Sequence, residues 1–345
     1  MDATWMITTF VLIDTAMTNL DHHTDVRAGV PDSEIVTVAL VAAKYFANNH
    51  RIALDVMHQL HYLSGTISHS RLNRRLLALR DWMDNLPELL SDMLSTSCIY
   101  IIDSMPIPVC RRARAKRWTK VRGTQYDGTC HAKNERYFGW KLHLICDCTG
   151  IPARYVLRPS RPHDTTAIDD LACTLPFGAI LLGDRGYVSE PLRHHLDARY
   201  GVTMIAINRT NMTPNTPAEQ RLLRMHRKRI ETCNSQLEKM GVARLHVRLT
   251  TGVSLKIAAS LCALSVSNHC ETSNQGRYIN IYTFSLPLSS LLSHTASSAE
   301  YHHCGCAMCT HSPCVILRAG VRVATAPCNA FLRRQCHGRP CMLRF

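Results

Sequence analysis

The sequence predicts an α/β protein in which an all-helical segment precedes a mixed sheet flanked by helices. Three observations carry this. Residues 1–96 repeat apolar side chains at helical spacing. From residue 97 the period shortens to apolar runs of strand length, three in succession. Beyond them, helical and strand-like stretches alternate as far as residue 270.

In the first segment, Pro31-Asp32 offers a cap for "SEIVTVALVAAKYFANN". "IALDVMHQLHYL" predicts a second helix, ended near Ser64-Gly65. "HSRLNRRLLALRDWMDNLPELLSDML" predicts a third, broken near Pro87. Its first turns hold Arg71, Arg74 and Arg75 close to one face, so the segment reads as a DNA-binding region of helix-turn-helix type.

"CIYIID" reads as a buried strand ending at Asp103. "YFGWKLHLICD" and "IPARYVLRP" flank the turn Thr149-Gly150 and predict a hairpin. "HDTTAIDDLACTL" is a short helix, with His163-Asp164 as its cap. "GAILLGD" is a buried strand ending at Asp184, "EPLRHHLDARYG" a helix stopped by glycine, and "TMIAIN" a further strand. A long helix over 218–241 and a final helix, "SLKIAASLCALSVSN", complete the order. That succession is the one expected of a ribonuclease H-like core. The chain divides into a helical region (1–96), a catalytic domain (97–270) and a Cys-rich extension (271–345), expected to be disordered or non-native.

The 345 residues carry a formal net charge of +14, unevenly spread. Residues 1–96 hold seven Lys and Arg against eleven Asp and Glu, residues 97–275 hold 26 against 14, and residues 276–345 hold seven against one. A cationic middle segment favours a polyanionic partner, above all double-stranded DNA. It argues against a hydrolase acting on a neutral sugar through Asp103 and Asp184, because such a substrate needs no field of this size. No run approaches the roughly 18–20 uninterrupted apolar residues of a membrane span. "WMITTFVLID" lacks the cationic flank of a signal peptide, so the expected location is the cytoplasm, with reduced thiols.

Three acidic residues stand where chemistry could use them: Asp103, Asp184 and, in "RKRIETCNSQL", Glu231. If their strands are neighbours, the two aspartates come together. Leu223, Ile230, Cys233, Leu237 and Met240 form the packed stripe of the long helix, and Glu231 falls beside it. Converging carboxylates need cations, and hard oxygen donors suit Mg²⁺ or Mn²⁺. Two such ions roughly 3.5–4 Å apart would act on a phosphodiester. Arg111, Arg112, Arg114, Lys116 and Arg117 follow Asp103 closely and would hold that phosphodiester. Lys141 and His143 share one strand face, and Arg209 follows another strand; both Lys141 and Arg209 are candidate DNA contacts, as is Arg227.

"IIDSMPIPVCRRARAKR", "YFGWKLHLICDCTGIPARYVLRPSRPHD", "LLGDRGYVS" and "RKRIETCNSQL" resemble, in this order, the signatures of the DDE transposases of bacterial insertion sequences, most closely the insertion sequence 982 family. The resemblance spans roughly residues 25–268. It implies a ribonuclease H-like enzyme that binds terminal inverted repeats and uses Mg²⁺ to cut and join DNA. Asp103, Asp184 and Glu231 match the DDE triad. Processing two element ends together implies a homodimer on DNA, near the bacterial nucleoid. Related groups place Tyr, Arg and Lys at fixed steps around the glutamate. Arg227 fits the arginine, but Arg224 stands at the tyrosine position and Glu238 at the lysine position, with Lys239 one step on. A decayed copy that grips DNA without cutting is the alternative. The resemblance ends before the tail, where "HHCGCAMCTHSPC" has zinc-ligand types without a clean pair of CxxC knuckles.

Overall fold

A computed structural model describes residues 1–274, apart from 96, 118–120, 131–133, 209, 211, 246, 248 and 249, and adds 334–336 and 339–341. Of residues 117, 272–274 and the two tail strands, the backbone alone is described.

Five helices lead: α1 (Ala3–Asn19), α2 (Asp32–Phe46), α3 (His50–Gln59), α4 (His69–Ala78) and α5 (Arg80–Leu94). Two boundaries differ from the sequence expectation. The helix after residue 50 stops at Gln59, because His61 takes a left-handed φ of 57°. The break foreseen at Pro87 lies instead at Leu79, and α5 runs through the proline. Pro87 withholds one N–H from the helix. The nearby Asp84 carbonyl, three residues earlier, accepts a hydrogen bond from Tyr155 Oη at 3.2 Å.

Six strands form one sheet: β1 (Ile99–Arg111), β2 (Asp127–Cys130), β3 (Glu135–Asp147), β4 (Pro152–Pro159), β5 (Ile180–Gly183) and β6 (Thr203–Ala206). The order is β2-β3-β1-β5-β6, with β4 on the same edge of β3 as β2. β3 runs antiparallel to β1, β2 and β4, while β1, β5 and β6 are parallel. The short β2 carries too few apolar residues to show in the pattern.

β1 is longer than expected. The apolar run places the strand end at Asp103, yet the strand continues to Arg111. Its pairing with β5 ends at Ile101↔Leu182, so beyond that point β1 has a partner on the β3 side alone. An edge of this kind tolerates Pro106 and Pro108. A bulge between Pro108 and Cys110 brings backbone onto Gly139, where a Cβ would stand 2.3 Å from the Ile107 carbonyl oxygen. Only glycine fits there.

Side chains alternate across the sheet. Ile101, Met105, Leu142 and Leu144 join one core, and Tyr100, Ile102 and Ile145 the other. The second core is closed by α6 (Ile168–Ala172) and α7 (Glu190–Tyr200). The first is closed by α8 (Pro217–Lys239), α9 (Thr250–Asn274) and the leading helices, so residues from Trp5 to Val266 share one apolar cluster. α9 is apolar on all sides and packs against α1, α2, α4, α5, α8 and β4. By length and composition, Thr250–Glu271 is apolar enough to cross a membrane, but 72% of that window is buried within the fold. Such burial is the mark of a central core helix.

In the tail, β7 (Arg334–Cys336) and β8 (Arg339–Cys341) pair antiparallel. The expectations for the rest of 275–345, including its cysteine run, lie outside the described residues.

Candidate active site

Each acidic candidate is delivered by a rigid element. Asp103 sits on β1, just past its last pair with β5. Asp184 follows β5, and its Oδ1 accepts the Gly186 N–H at 2.8 Å, capping a short 3-10 turn over Arg185–Tyr187. Glu231 lies on α8, whose start is fixed by a capping box between Thr216 and Glu219 with Pro217 in the first turn. Leu223, Ile230, Cys233 and Leu237 are buried, as their spacing foretold, and they turn α8 so that Glu231 borders the sheet.

One cleft of about 100 Å³ brings the three together. Asp103, Gly183, Asp184, Arg227 and Glu231 line it, over a floor that includes Ile101, Leu182 and Ile230. Burial pushes the Asp103 carboxyl up to about 6; the Ser104 N–H opposes this, and the Asp184, Asp164 and Glu231 carboxylates add to it. Ser104 N–H reaches Asp103 Oδ1 at 2.7 Å, and Asn234 Nδ2 reaches Oδ2 at 2.8 Å. Glu231 is more exposed and meets Arg227 one turn earlier at 3.7 Å.

The donor set is chemically right for a hard divalent cation: three carboxylates on separate elements, facing one small cleft. Among the described residues, however, no group of three or more His, Cys, Asp or Glu side chains closes around one ion position. The carboxylates are instead engaged by Ser104, Asn234, Gly186 and Arg227. The ligands surround a shared space without forming a preassembled cage.

The basic candidates separate into groups. Arg111, Arg112, Arg114 and Lys116 are exposed, on the end of β1 and the 3-10 segment Arg112–Arg117. Arg112 Nε also pairs with Asp127 at 2.6 Å. Arg71 and Arg74 are exposed on α4. Arg75 is not presented in the same way: its guanidinium is held by Asp32 and the Val30 carbonyl, which ties α4 to the start of α2. Arg209 and the Arg117 side chain lie outside the described residues.

Lys141 and His143 do share a face, but it is the face opposite Asp103. β3 pairs His143 with Ser104 and Lys141 with Pro106, and Ser104 and Asp103 point to opposite sides. Lys141 Nζ pairs with Asp164 Oδ1 at 2.6 Å, and Ser104 Oγ donates to Asp164 Oδ2 at 3.1 Å. His163 alone supplies the cap, accepting from Thr165 N–H. His143 and Tyr187 are buried beside this group, and burial holds the His143 ring down to about 4.

Sequence reasoning missed Asn234 and gave Asp164 to a cap. Asn234 stands three residues after Glu231, a spacing that puts both on one helix face, so the signal was present. Asp164 had no local signal, because its partners lie 23 and 60 residues away.

No curated protein and no solved structure matches the chain. The family model described as "Transposase DDE domain" matches residues 94–266. That match covers half of the chain, from the end of α5 through all three carboxylates and into α9, and the chain therefore belongs to the transposase DDE domain family.

Proposed function

We propose that this protein is a transposase of the insertion sequence 982 kind. It would bind the terminal inverted repeats of its element, cut the DNA beside them, and join the freed 3′ end to target DNA. The observation that carries the reading is the convergence of Asp103, Asp184 and Glu231 on one cleft inside the matched segment. The strand order supports a ribonuclease H-like catalytic core: β4-β3-β1-β5-β6, with β3 alone antiparallel to the others. On this reading residues 1–96 are a DNA-binding region, residues 97–270 are catalytic, and residues 271–345 are an extension outside the reaction.

Asp103, Asp184 and Glu231 are the residues that would hold Mg²⁺ or Mn²⁺. When bound, the cation activates a water or a 3′-hydroxyl and stabilises the leaving oxygen at phosphorus. The chain supplies the rest. β1 and β5 would fix the two aspartates relative to each other by backbone pairing that ends two residues before each of them, at Ile101↔Leu182. α8 brings Glu231 from the side, and Arg227 lines the same cleft, where it can meet a phosphate. Arg111, Arg112, Arg114 and Lys116, with Arg71 and Arg74, are the candidate grip on the backbone of double-stranded DNA. Lys141 would act from the far face of the sheet by holding Asp164, and Arg75 by holding the helical region together. A homodimer on paired element ends, in the bacterial cytoplasm, follows from the same reading.

The test is nicking of a labelled duplex carrying the flanking element end, with and without Mg²⁺, comparing wild type with Asp184→Asn. Mg²⁺-dependent nicking by wild type, with binding but no nicking by the variant, is expected. Equal binding and no nicking by either protein would replace this reading with that of a transposase-derived DNA-binding protein.

A further inference from the structure

We infer that Asn234 is a positioning residue of the active site: its amide holds the Asp103 carboxylate from α8 and so sets the β1 and α8 ligands in a common register. This rests on the proposed function, in which Asp103 and Glu231 hold a divalent cation.

The geometry is specific. Asp103 receives one donor on each oxygen, the Ser104 N–H at 2.7 Å on Oδ1 and Asn234 Nδ2 at 2.8 Å on Oδ2. Two donors from two elements fix the plane of a carboxylate, which one donor leaves free to rotate. The Ser104 bond is local to β1. The Asn234 bond spans 131 residues and is a direct polar link between α8 and Asp103. Asn234 lies one turn beyond Glu231, so any slide or roll of α8 that moved Glu231 would also strain this bond.

The donor's chemistry suits the task. An amide is neutral, so it orients Asp103 without neutralising it, whereas a lysine at this place would compete with a cation. Asn234 also carries a second feature: its Oδ1 is buried and has no hydrogen-bond partner in the protein. A buried acceptor left without a partner is costly and is retained where something supplies the missing donor.

The experiment uses the full chain and two readouts, one independent of catalysis. Mn²⁺ binding is measured by electron paramagnetic resonance, and the Mg²⁺ dependence of nicking is measured on the element-end duplex. Wild type, Asn234→Leu, Asn234→Ser, Asp103→Asn and the Asp103→Asn/Asn234→Leu double variant are compared. Asn234→Leu is expected to weaken Mn²⁺ binding about tenfold, the size of one lost charge-assisted hydrogen bond. The Mg²⁺ concentration for half-maximal nicking should rise equally, with DNA binding within about twofold of wild type. The double variant should bind Mn²⁺ no more weakly than Asp103→Asn, because Asn234 acts through Asp103. Wild-type Mn²⁺ affinity in Asn234→Leu, or a further tenfold loss in the double variant, would overturn the inference. Asn234→Ser, which is too short to reach Oδ2, gives the same reading should the leucine variant not fold. If wild type binds Mn²⁺ but does not nick, the proposed function fails while the binding comparison still decides the role of Asn234. If wild type binds no Mn²⁺, both fail.

Discussion

Burial and three neighbouring carboxylates raise the Asp103 carboxyl from its ordinary value to about 6. The folded protein therefore binds this proton more tightly than the unfolded chain does, and stability falls as pH rises from about 4 through about 6. Above that window Asp103 costs the cation-free fold about 2–3 kcal/mol. Asp103→Asn is thus expected to raise the melting temperature at pH 7 in a chelating buffer and to have little effect at pH 4, while nicking is lost. Equal melting of both proteins at pH 7 would remove the carboxylate crowding from the account. Two histidines, His143 buried and His50 half-buried, act in the opposite sense. Burial lowers His50, with Lys256 adding to the effect, and lowers His143 between Lys141 and Arg158, each to about 4 despite the Asp164 carboxylate near His143. The unfolded chain takes up their protons first, so stability is lost as pH falls from about 6.5 towards 4, by up to about 3 kcal/mol for each. Urea titrations across that range should show an acid limb that His50→Gln and His143→Gln each flatten.

At the level of elements, the site depends on how β3, α8 and α9 meet. The turn from β3 into β4 places Gly150 at φ +94°, and its carbonyl accepts from Asn268 Nδ2 at 2.6 Å and Cys233 Sγ at 3.3 Å. One carbonyl therefore joins the hairpin to both helices. A Cβ at this position would meet Arg229 Cδ at 2.9 Å and Asn268 Nδ2 at 3.1 Å. Gly150→Ala combines a strained backbone with displacement of these groups and is expected to cost about 1–3 kcal/mol in equilibrium unfolding. Because Cys233 belongs to the packed stripe of α8 and stands between Glu231 and Asn234 in sequence, nicking should fall by more than stability alone accounts for. A variant as stable and as active as wild type would show that the turn does not set α8. The hairpin and both helices are plain in the sequence, but the carbonyl that joins them is not, since its partners come from residues 83 and 118 positions further on.

For the whole molecule, the charge distribution separates grip from scaffold. DNA affinity should fall linearly on a log–log plot against salt, with a slope set by the phosphates contacted. Replacing Arg111, Arg114 and Lys116 together by alanine should reduce that slope by about 2–3. Arg75→Ala should leave the slope unchanged and lower stability, because that side chain holds Asp32 and the Val30 carbonyl rather than facing solvent. A loss of slope in Arg75→Ala would return it to the DNA surface. The tail offers a broader test. α9 ends at Asn274, and among the described residues every buried side chain of both cores precedes that point. Among the described residues no core side chain lies beyond α9, so a chain ending at residue 275 should fold and nick as the full chain does. Loss of folding or of nicking would place part of 276–345 in the working structure.

By itself, the sequence determined the kinds of element and their order, since periods of two and 3.6 are written in neighbouring residues. It also determined the stripe of α8, with Glu231 beside it, and it singled out Asp103 and Asp184 through the apolar runs that lead into them. What only the tertiary structure decided depends on partners distant along the chain. β1 runs past Asp103 because β3 alone covers its far half. α5 continues through Pro87, and nearby the Asp84 carbonyl also accepts from a tyrosine of β4. The leading helices share one apolar cluster with β1 and α9, although the period changes at residue 97. Lys141 lies behind the sheet, and Asn234 rather than a cation from the same helix holds Asp103. Local spacing fixes the face on which a side chain stands, whereas its partner is fixed only when segments separated by 23 to 131 residues are packed together.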